Sequence, residues 1–234
     1  MTEGGKILHE IKLALIAAVK PGVTGLDLEN LAMKLIKQAG AEASFAKVPG
    51  YKWATCININ DVVVHGIPNI TKFKDGDCVG IDVGLFYKGF HTDTSTSVMV
   101  GNHTSNFLNI GKKALKLAIA QAKIGKRVAD ISKAMQTNVE KAGYSAIRAL
   151  TGHGIGKNLH EQPYIPCFEM GKYSDSPKLV EGMIIAIEII YNAGTSDVVY
   201  KNDDGWTIAT ADGKISGLFE ETVAITNDGP VILT

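Results

Sequence analysis

IDVGLFYKGFHTDTS, residues 81–95, decides the fold because it predicts two short strands joined by a two-residue turn at 88–89. Each strand carries an aspartate, Asp82 or Asp93, among apolar residues and threonines. A turn of this kind places Asp93 opposite Gly84, so that Asp82 lies on the same face at a diagonal Cα distance of about 7–8 Å. Buried carboxylates are costly unless they are compensated. The stretch therefore predicts one cation, or a pair of cations, between the two aspartates.

The composition is that of a globular protein. The chain has 234 residues, of which 45% are hydrophobic and 21% charged, and its 24 basic and 24 acidic residues cancel. A net charge of zero argues against nucleic-acid binding through phosphate neutralisation. Cys56, Cys78 and Cys167 show neither disulfide nor zinc-site spacing, which is typical of a reducing compartment. Because no apolar run is long enough to span a bilayer, we expect a cytoplasmic protein without membrane contact.

The elements around the hairpin predict one α+β domain over residues 1–234. Apolar spacing and capping signals predict four helices, near 7–19, 24–40, 105–123 and 128–142. In the second helix, Thr24 and Asp27 form a capping-box-like pair at the start. Residues 53–65 predict a second hairpin around an Asn-Asp turn, and residues 151–234 predict mostly strands and loops.

A faint internal repeat predicts two related halves. KDGDCVGID at 74–82 and LVEGMIIAIE at 179–188 both contain an acid-glycine pair, then a buried strand with an acid inside it. Each is followed by a second strand with an acid near its start, Asp93 or Glu220. Acid-glycine pairs are also common turn chemistry, but a turn does not account for the second acid. We expect a pseudo-two-fold domain in which the strand acids converge.

Five side chains together predict a metal site: Asp82, Asp93, His153, Glu188 and Glu220. Four carboxylates in a dry site repel one another, and divalent cations remove that repulsion. Oxygen-rich ligation with one imidazole suits Mn, Fe, Co or Zn. Taken alone, Asp93 is better explained as a turn residue and His153 as a hydrogen-bonded loop histidine. Glu188 is different, since its apolar flanks on both sides make an unpaired charge expensive.

Several motifs connect the chain to a known family, and they run in the order KPGVT, CININDVVVHGIP, DGDCVGIDVG, FHTDTS, GHGIGKNLHEQP, EGMIIAIE, DDGWT and FEETVAIT. With these motifs the chain resembles the type I methionine aminopeptidases over nearly its whole length. The resemblance implies the pita-bread fold, in which two pseudo-symmetric αβ halves form a curved antiparallel sheet around a dinuclear metal centre. It also implies removal of the initiator methionine from nascent proteins, preferentially before small uncharged residues, by attack of a metal-bound water or hydroxide.

The resemblance implies a role for each candidate ligand. Asp82 would chelate one of two divalent ions, for which Co, Mn, Fe and Zn are the options. Asp93 and Glu220 would bridge both ions, while His153 and Glu188 would complete the second.

The resemblance also implies catalytic and binding residues outside the ligand set. Glu188 would handle the proton of the attacking water, and His65 and His160 would contact the peptide and stabilise the tetrahedral intermediate. Without the resemblance, His65 is better explained as a turn residue before Gly-Ile-Pro. The implied substrate pocket also includes Tyr51, Cys56 and Trp206, and a monovalent cation site is implied at Asn60, Val62 and Ser216.

The chain departs from the family pattern at four positions, and none of them is a predicted ligand. Tyr51 is followed by Lys52 where the family has proline. Ile189 follows Glu188 where the family usually has proline, and Glu221 replaces a common histidine beside Glu220. Leu159 stands where a pocket phenylalanine is usual. We expect Glu221 to alter the electrostatics and metal preference of the site, and Leu159 to loosen methionine selectivity.

Three other interpretations remain open from the sequence. One is an Xaa-Pro aminopeptidase or prolidase on the same fold, which is disfavoured because such enzymes usually carry a sizeable N-terminal domain. Another is a catalytically inactive pita-bread protein that binds partners, which Ile189 and Glu221 keep open. The last is an ordinary α+β domain with scattered acids. For the favoured interpretation the expected partners are peptides and nascent proteins beginning with methionine, with transient ribosome contact and a monomeric state.

Overall fold

Four α-helices form where apolar spacing and capping residues predict them. The computed structural model covers residues 1–234. The helices are α1 (Thr2–Ala18), α2 (Gly25–Gln38), α3 (Asn106–Ile119) and α4 (Val128–Lys141). Thr24 begins α2 with a capping box, because its hydroxyl accepts the Asp27 N–H and the Asp27 carboxylate accepts the Thr24 N–H. Gly40, at φ +66°, follows the end of α2. None of these helices combines the length and the apolar character needed to cross a membrane.

Thirteen strands and two short 3-10 helices, at Phe45–Lys47 and Tyr173–Asp175, make up the rest of the regular structure. The strands are β1 (Glu42–Ala43), β2 (Thr55–Ile59), β3 (Val62–Val64), β4 (Cys78–Tyr87), β5 (Phe90–Met99), β6 (Ser145–Ala146), β7 (Thr151–Gly154), β8 (Glu161–Pro166), β9 (Ile184–Asn192), β10 (Val198–Tyr200), β11 (Ile208–Thr210), β12 (Ser216–Thr226) and β13 (Gly229–Ile232). A ten-stranded antiparallel sheet runs in the order β1-β4-β5-β12-β9-β7-β8, with β2 paired to β4, β6 to β9 and β13 to β12. A three-stranded sheet has the order β10-β11-β3.

The predicted hairpin at residues 81–95 is confirmed with its register. Lys88 and Gly89 have φ values of +49° and +84°, as a two-residue turn between twisted antiparallel strands requires. Asp93 lies opposite Gly84, and Asp82 lies opposite Ser95. Both aspartates therefore point to the same face of the sheet.

The predicted hairpin at residues 53–65 is wrong in its pairing. The chain does turn at Asn60 and Asp61, but β2 pairs with β4 and β3 pairs with β11, so the strands belong to different sheets. The Asn60 side chain accepts the Cys78 N–H at 2.9 Å, and the Asp61 carbonyl accepts the Thr210 N–H at 2.9 Å. These long-range bonds give each strand its own partner.

The two related halves predicted from the repeat appear in the topology. Helix α1 packs on β4 and β5 and against α2, whereas α3 packs on β9 and β12 and against α4. The buried apolar residues form two clusters, one of 15 residues within the first half and one of 29 that lies mainly in the second and also includes Val63, Val64 and Cys78. The halves meet where β5 pairs with β12, at Ser95 opposite Glu220 and Thr94 opposite Glu221. We call this pairing the seam.

Candidate metal centre

Five strands bring all five predicted ligands to one cavity of about 140 Å³. Strands β4, β5, β7, β9 and β12 carry, in that order, Asp82, Asp93, His153, Glu188 and Glu220. The register explains the convergence, because Glu220 lies opposite Glu188 on one side and opposite Ser95, the partner of Asp82, on the other. The seam therefore places acids from both halves on one wall.

Three of the five form a tight group that could hold a metal ion. A carboxylate oxygen of Asp93, one of Glu220 and a ring nitrogen of His153 lie within 4.8 Å of one another. All three side chains are buried. Asp82 and Glu188 line the same cavity beside this group.

Burial strongly disfavours charge on the four acids. It raises the pKa of Asp82 and of Glu188 well above their usual values, and a neighbouring carboxylate raises each further. The pKa values of Asp93 and Glu220 are raised in the same way, first by burial and then by the other acids. A bound divalent cation reverses this cost, because it becomes the largest local charge.

Two further observations fit a metal ion at this place. Asp82 Oδ1 is buried and has no hydrogen-bond partner, although buried carboxylate oxygens are normally satisfied. His153 Nδ1 lies 2.9 Å from the Gly154 carbonyl, and since a carbonyl only accepts, Nδ1 carries the proton and Nε2 presents its lone pair. Burial, together with His160, lowers the pKa of His153 to about 4, which keeps the ring neutral at neutral pH. The donor set therefore suits a divalent metal.

The predicted pocket residues Tyr51, Cys56 and Trp206 line the same cavity. The Tyr51 and Trp206 rings meet edge-on with centroids 5.1 Å apart. The Tyr51 hydroxyl donates to the Thr55 carbonyl at 2.8 Å and lies 3.3 Å from Cys56 Sγ. Leu159 also lines the cavity. An apolar and thiol-lined wall thus adjoins the polar metal-binding wall.

The two predicted substrate-contacting histidines, His65 and His160, also line the cavity. Burial lowers the pKa of each, so both rings are neutral at neutral pH. His65 has φ +56°, a strained conformation that tends to persist at functional sites. His160 stands edge-on to His153 with 4.5 Å between ring centroids.

The cavity also has residues that sequence reasoning missed. Phe45, Val48 and Val64 complete the apolar lining. His91 lies on the Asp93 face of β5 but does not line the cavity; its Nδ1 is 2.5 Å from Ser44 Oγ, and its backbone N–H donates to the Gly156 carbonyl at 2.8 Å.

Two of the residues named for a monovalent cation site are in direct contact. The Asn60 carbonyl accepts the Ser216 N–H at 2.8 Å, whereas Val62 begins β3. This site stays a prediction.

Comparison with known proteins agrees with the fold. The model of metallopeptidase family M24 matches residues 1–227. The methionine aminopeptidase of Clostridium perfringens is 41% identical over 237 residues, covering 100% of this chain and 94% of the relative. Methionine aminopeptidase 1 of Bacillus subtilis is 39% identical over 237 residues with the same coverage.

Solved structures extend the similarity to three dimensions. The methionine aminopeptidase of Thermotoga maritima matches with a TM-score of 0.95 and 36% identity, covering 100% of this chain and 94% of that one. The prolidase of Pyrococcus furiosus matches with a TM-score of 0.77 and 24% identity over 62% of its length, which shows the shared fold alone. The expected pita-bread fold is thereby confirmed, and the interpretation as an ordinary α+β domain is wrong. The chain belongs to metallopeptidase family M24.

Proposed function

We propose that the protein is a methionine aminopeptidase, a metal-dependent hydrolase that removes N-terminal methionine and prefers small uncharged second residues. The observation that carries the proposal is a single cavity in which the group Asp93, His153 and Glu220 adjoins an apolar, thiol-lined pocket. Relatives with that name are about 40% identical over the full length of the chain.

The family uses divalent metal, and we propose two ions per chain, drawn from Co, Mn, Fe or Zn. Asp82, Asp93, His153, Glu188 and Glu220 would hold these ions. When bound, the ions supply a nucleophile at neutral pH and polarise the scissile carbonyl. The convergence of five donors from five strands supports this assignment.

The protein's own side chains orient the peptide and move its protons. Glu188, whose pKa is raised by burial, accepts the proton of the attacking water and passes it to the leaving amine. Neutral His65 and His160 hydrogen-bond the peptide, and His160 stabilises the charge that develops on the carbonyl oxygen.

The methionine side chain of the substrate packs against the cavity wall formed by Tyr51, Cys56 and Trp206. A thioether packs favourably against aromatic ring edges, and the edge-on Tyr51–Trp206 pair offers such surfaces. Leu159, on the same wall, loosens the selectivity for methionine.

The wider setting of the enzyme is proposed on the same basis. Its substrates are peptides and nascent proteins that begin with methionine. The enzyme is a monomer that acts in the cytoplasm and contacts the ribosome transiently. One domain spans residues 1–234, which the ten-stranded sheet shared by both halves supports. The monovalent cation site at Asn60, Val62 and Ser216 belongs to this proposal as well.

Hydrolysis of a Met-Ala-Ser peptide by metal-stripped protein, titrated separately with Mn, Fe, Co and Zn, tests the function. We expect methionine to be released only after metal is added. We expect no release of the N-terminal alanine from an Ala-Ala-Ser control. Tight metal binding with no turnover would favour the inactive pita-bread interpretation. Faster cleavage of a Met-Pro control than of Met-Ala-Ser would favour an Xaa-Pro enzyme.

A further inference from the structure

A buried ion pair lies on the helix-facing side of the sheet, directly behind the candidate metal centre. Lys12 Nζ of α1 is 2.8 Å from both carboxylate oxygens of Glu221 on β12 and 2.9 Å from Thr94 Oγ1 on β5. The Lys12 side chain is only 7% exposed, whereas the basic side chain of every other ion pair in the protein is at least 36% exposed. The pair is therefore set apart from the surface ion pairs.

The pair acts on the seam between the two halves. Because side chains alternate along a strand, Thr94 and Glu221 point away from the cavity that their neighbours Asp93 and Glu220 line. Strands β5 and β12 pair at only two positions. Thr94 Oγ1 also lies 2.9 Å from the Glu220 carbonyl. Lys12 thus joins both strands at the point where each presents a candidate bridging carboxylate.

The Glu221 carboxylate is held from a second side as well. Thr234 Oγ1 donates to Glu221 Oε2 at 2.8 Å and accepts the Thr222 N–H at 2.9 Å. Thr222 Oγ1 in turn accepts the Asp93 N–H at 2.9 Å and donates to the Asp93 carbonyl at 2.7 Å. Removing Lys12 would leave a largely buried carboxylate in this network without its counter-charge, which is strongly unfavourable.

We propose that Lys12 and Glu221 are positioning residues for the metal centre: as a unit they hold β5 against β12, so that Asp93 and Glu220 keep the separation that binds metal. The inference rests on the proposed metal centre. It assigns a role to Glu221, which faces away from the cavity and whose side-chain hydrogen bonds go to Lys12, Thr94 and Thr234.

Calorimetric titration with Mn(II) tests the proposal on wild type, Lys12→Met, Glu221→Gln and the double variant. Each single substitution is expected to weaken Mn(II) binding by about 10–100-fold, as loss of an outer partner of a metal site typically does. The double variant is expected to bind about as weakly as the weaker single variant, because the two residues act as a unit. Glu3→Gln is the matched control, because Glu3 lies on the same helix as Lys12 and the substitution breaks its exposed ion pair with Lys88. This variant should bind Mn(II) with unchanged affinity.

The alternatives give different results. If the pair acted only through charge, Lys12→Met and Glu221→Gln would shift the affinity in opposite directions and the double variant would return to the wild-type value. If the pair were merely structural, thermal stability would fall with no change in affinity. Either result overturns the proposal. If Lys12→Met does not fold, the near-isosteric Glu221→Gln decides alone. A wild-type protein that binds no Mn(II) would instead overturn the metal centre and with it the proposed function.

Discussion

His160 is the cavity residue whose proposed role is most cleanly separated from metal binding. Its ring stands edge-on to that of His153, with 4.5 Å between centroids, and burial lowers its pKa. A neutral imidazole donates one hydrogen bond and accepts another. His160 can therefore donate to a substrate oxygen while His153 serves as a ligand.

Replacing His160 with alanine is expected to lower kcat by about 10²–10³-fold, the usual effect of losing one donor to a developing oxyanion. Metal affinity should stay at the wild-type value, because the substitution removes no proposed ligand. Steady-state kinetics on a methionyl peptide, with metal content measured in parallel, checks both. Loss of metal, or near-normal turnover, would contradict the assigned role.

At the residue scale, the acids and the histidine that converge on the cavity could be predicted from the sequence, whereas parts of the apolar pocket could not. Glu188 stands out within its own strand because an acid between apolar residues needs a partner. Phe45 carries no such local signal. It reaches the cavity from a 3-10 helix that packs against β4, and only the folded chain shows that contact.

The β4–β5 hairpin fixes the pocket wall as well as the aspartates. Gly84, opposite Asp93, lets the 3-10 helix approach the strand closely. A Cβ at Gly84 would lie 2.7 Å from both Ser44 Cβ and Phe45 Cε1, closer than packed atoms allow. The hairpin thus carries two candidate ligands, and its Gly84 supports the apolar lining beside them.

Gly84→Ala is therefore expected to displace Phe45, destabilising the protein by about 1–3 kcal/mol and raising KM for methionyl peptides. Denaturant unfolding and steady-state kinetics measure the two effects. Gly4→Ala in α1 is the control, because its Cβ would meet its nearest atom at an ordinary 3.4 Å; it should be neutral or stabilising by about 0.5–1 kcal/mol. A Gly84→Ala protein as stable as wild type would contradict the packing argument.

At the element scale, the features that depend only on neighbouring residues could be predicted from the sequence. The Thr24–Asp27 capping box and the 88–89 turn act within a few residues, and both appear where expected. The pairing of β2 and β3 depends on partners far along the chain, such as Cys78 and Thr210. A pattern of β-branched residues with a turn at its centre carries no information about those partners.

The whole molecule consists of two helix-covered half-sheets with separate cores, joined at a short seam that carries the acids. The four cavity acids have native pKa values raised above those of an unfolded chain, which are about 4. The native state therefore binds more protons than the unfolded state once the pH exceeds that value. Stability that is present at low pH is lost as the pH rises through the native pKa values.

The metal-free protein is accordingly expected to lose stability as the pH rises above about 4, by up to about 1.4 kcal/mol per pH unit for each acid that titrates. Asp93→Asn removes one of these acids and should make the slope shallower. Denaturant unfolding at several pH values measures both proteins. Equal slopes for the two proteins would show that Asp93 does not carry a raised native pKa.

Calorimetric titration of the metal-stripped protein with Mn(II), repeated in buffers of different ionisation enthalpy, tests the central claim most directly. Ligands must be deprotonated to bind metal, so we predict two ions per chain with release of protons, and a loss of both in Glu220→Gln. Absence of binding, or binding that releases no protons and is unaffected by Glu220→Gln, would contradict a metal centre built on the seam.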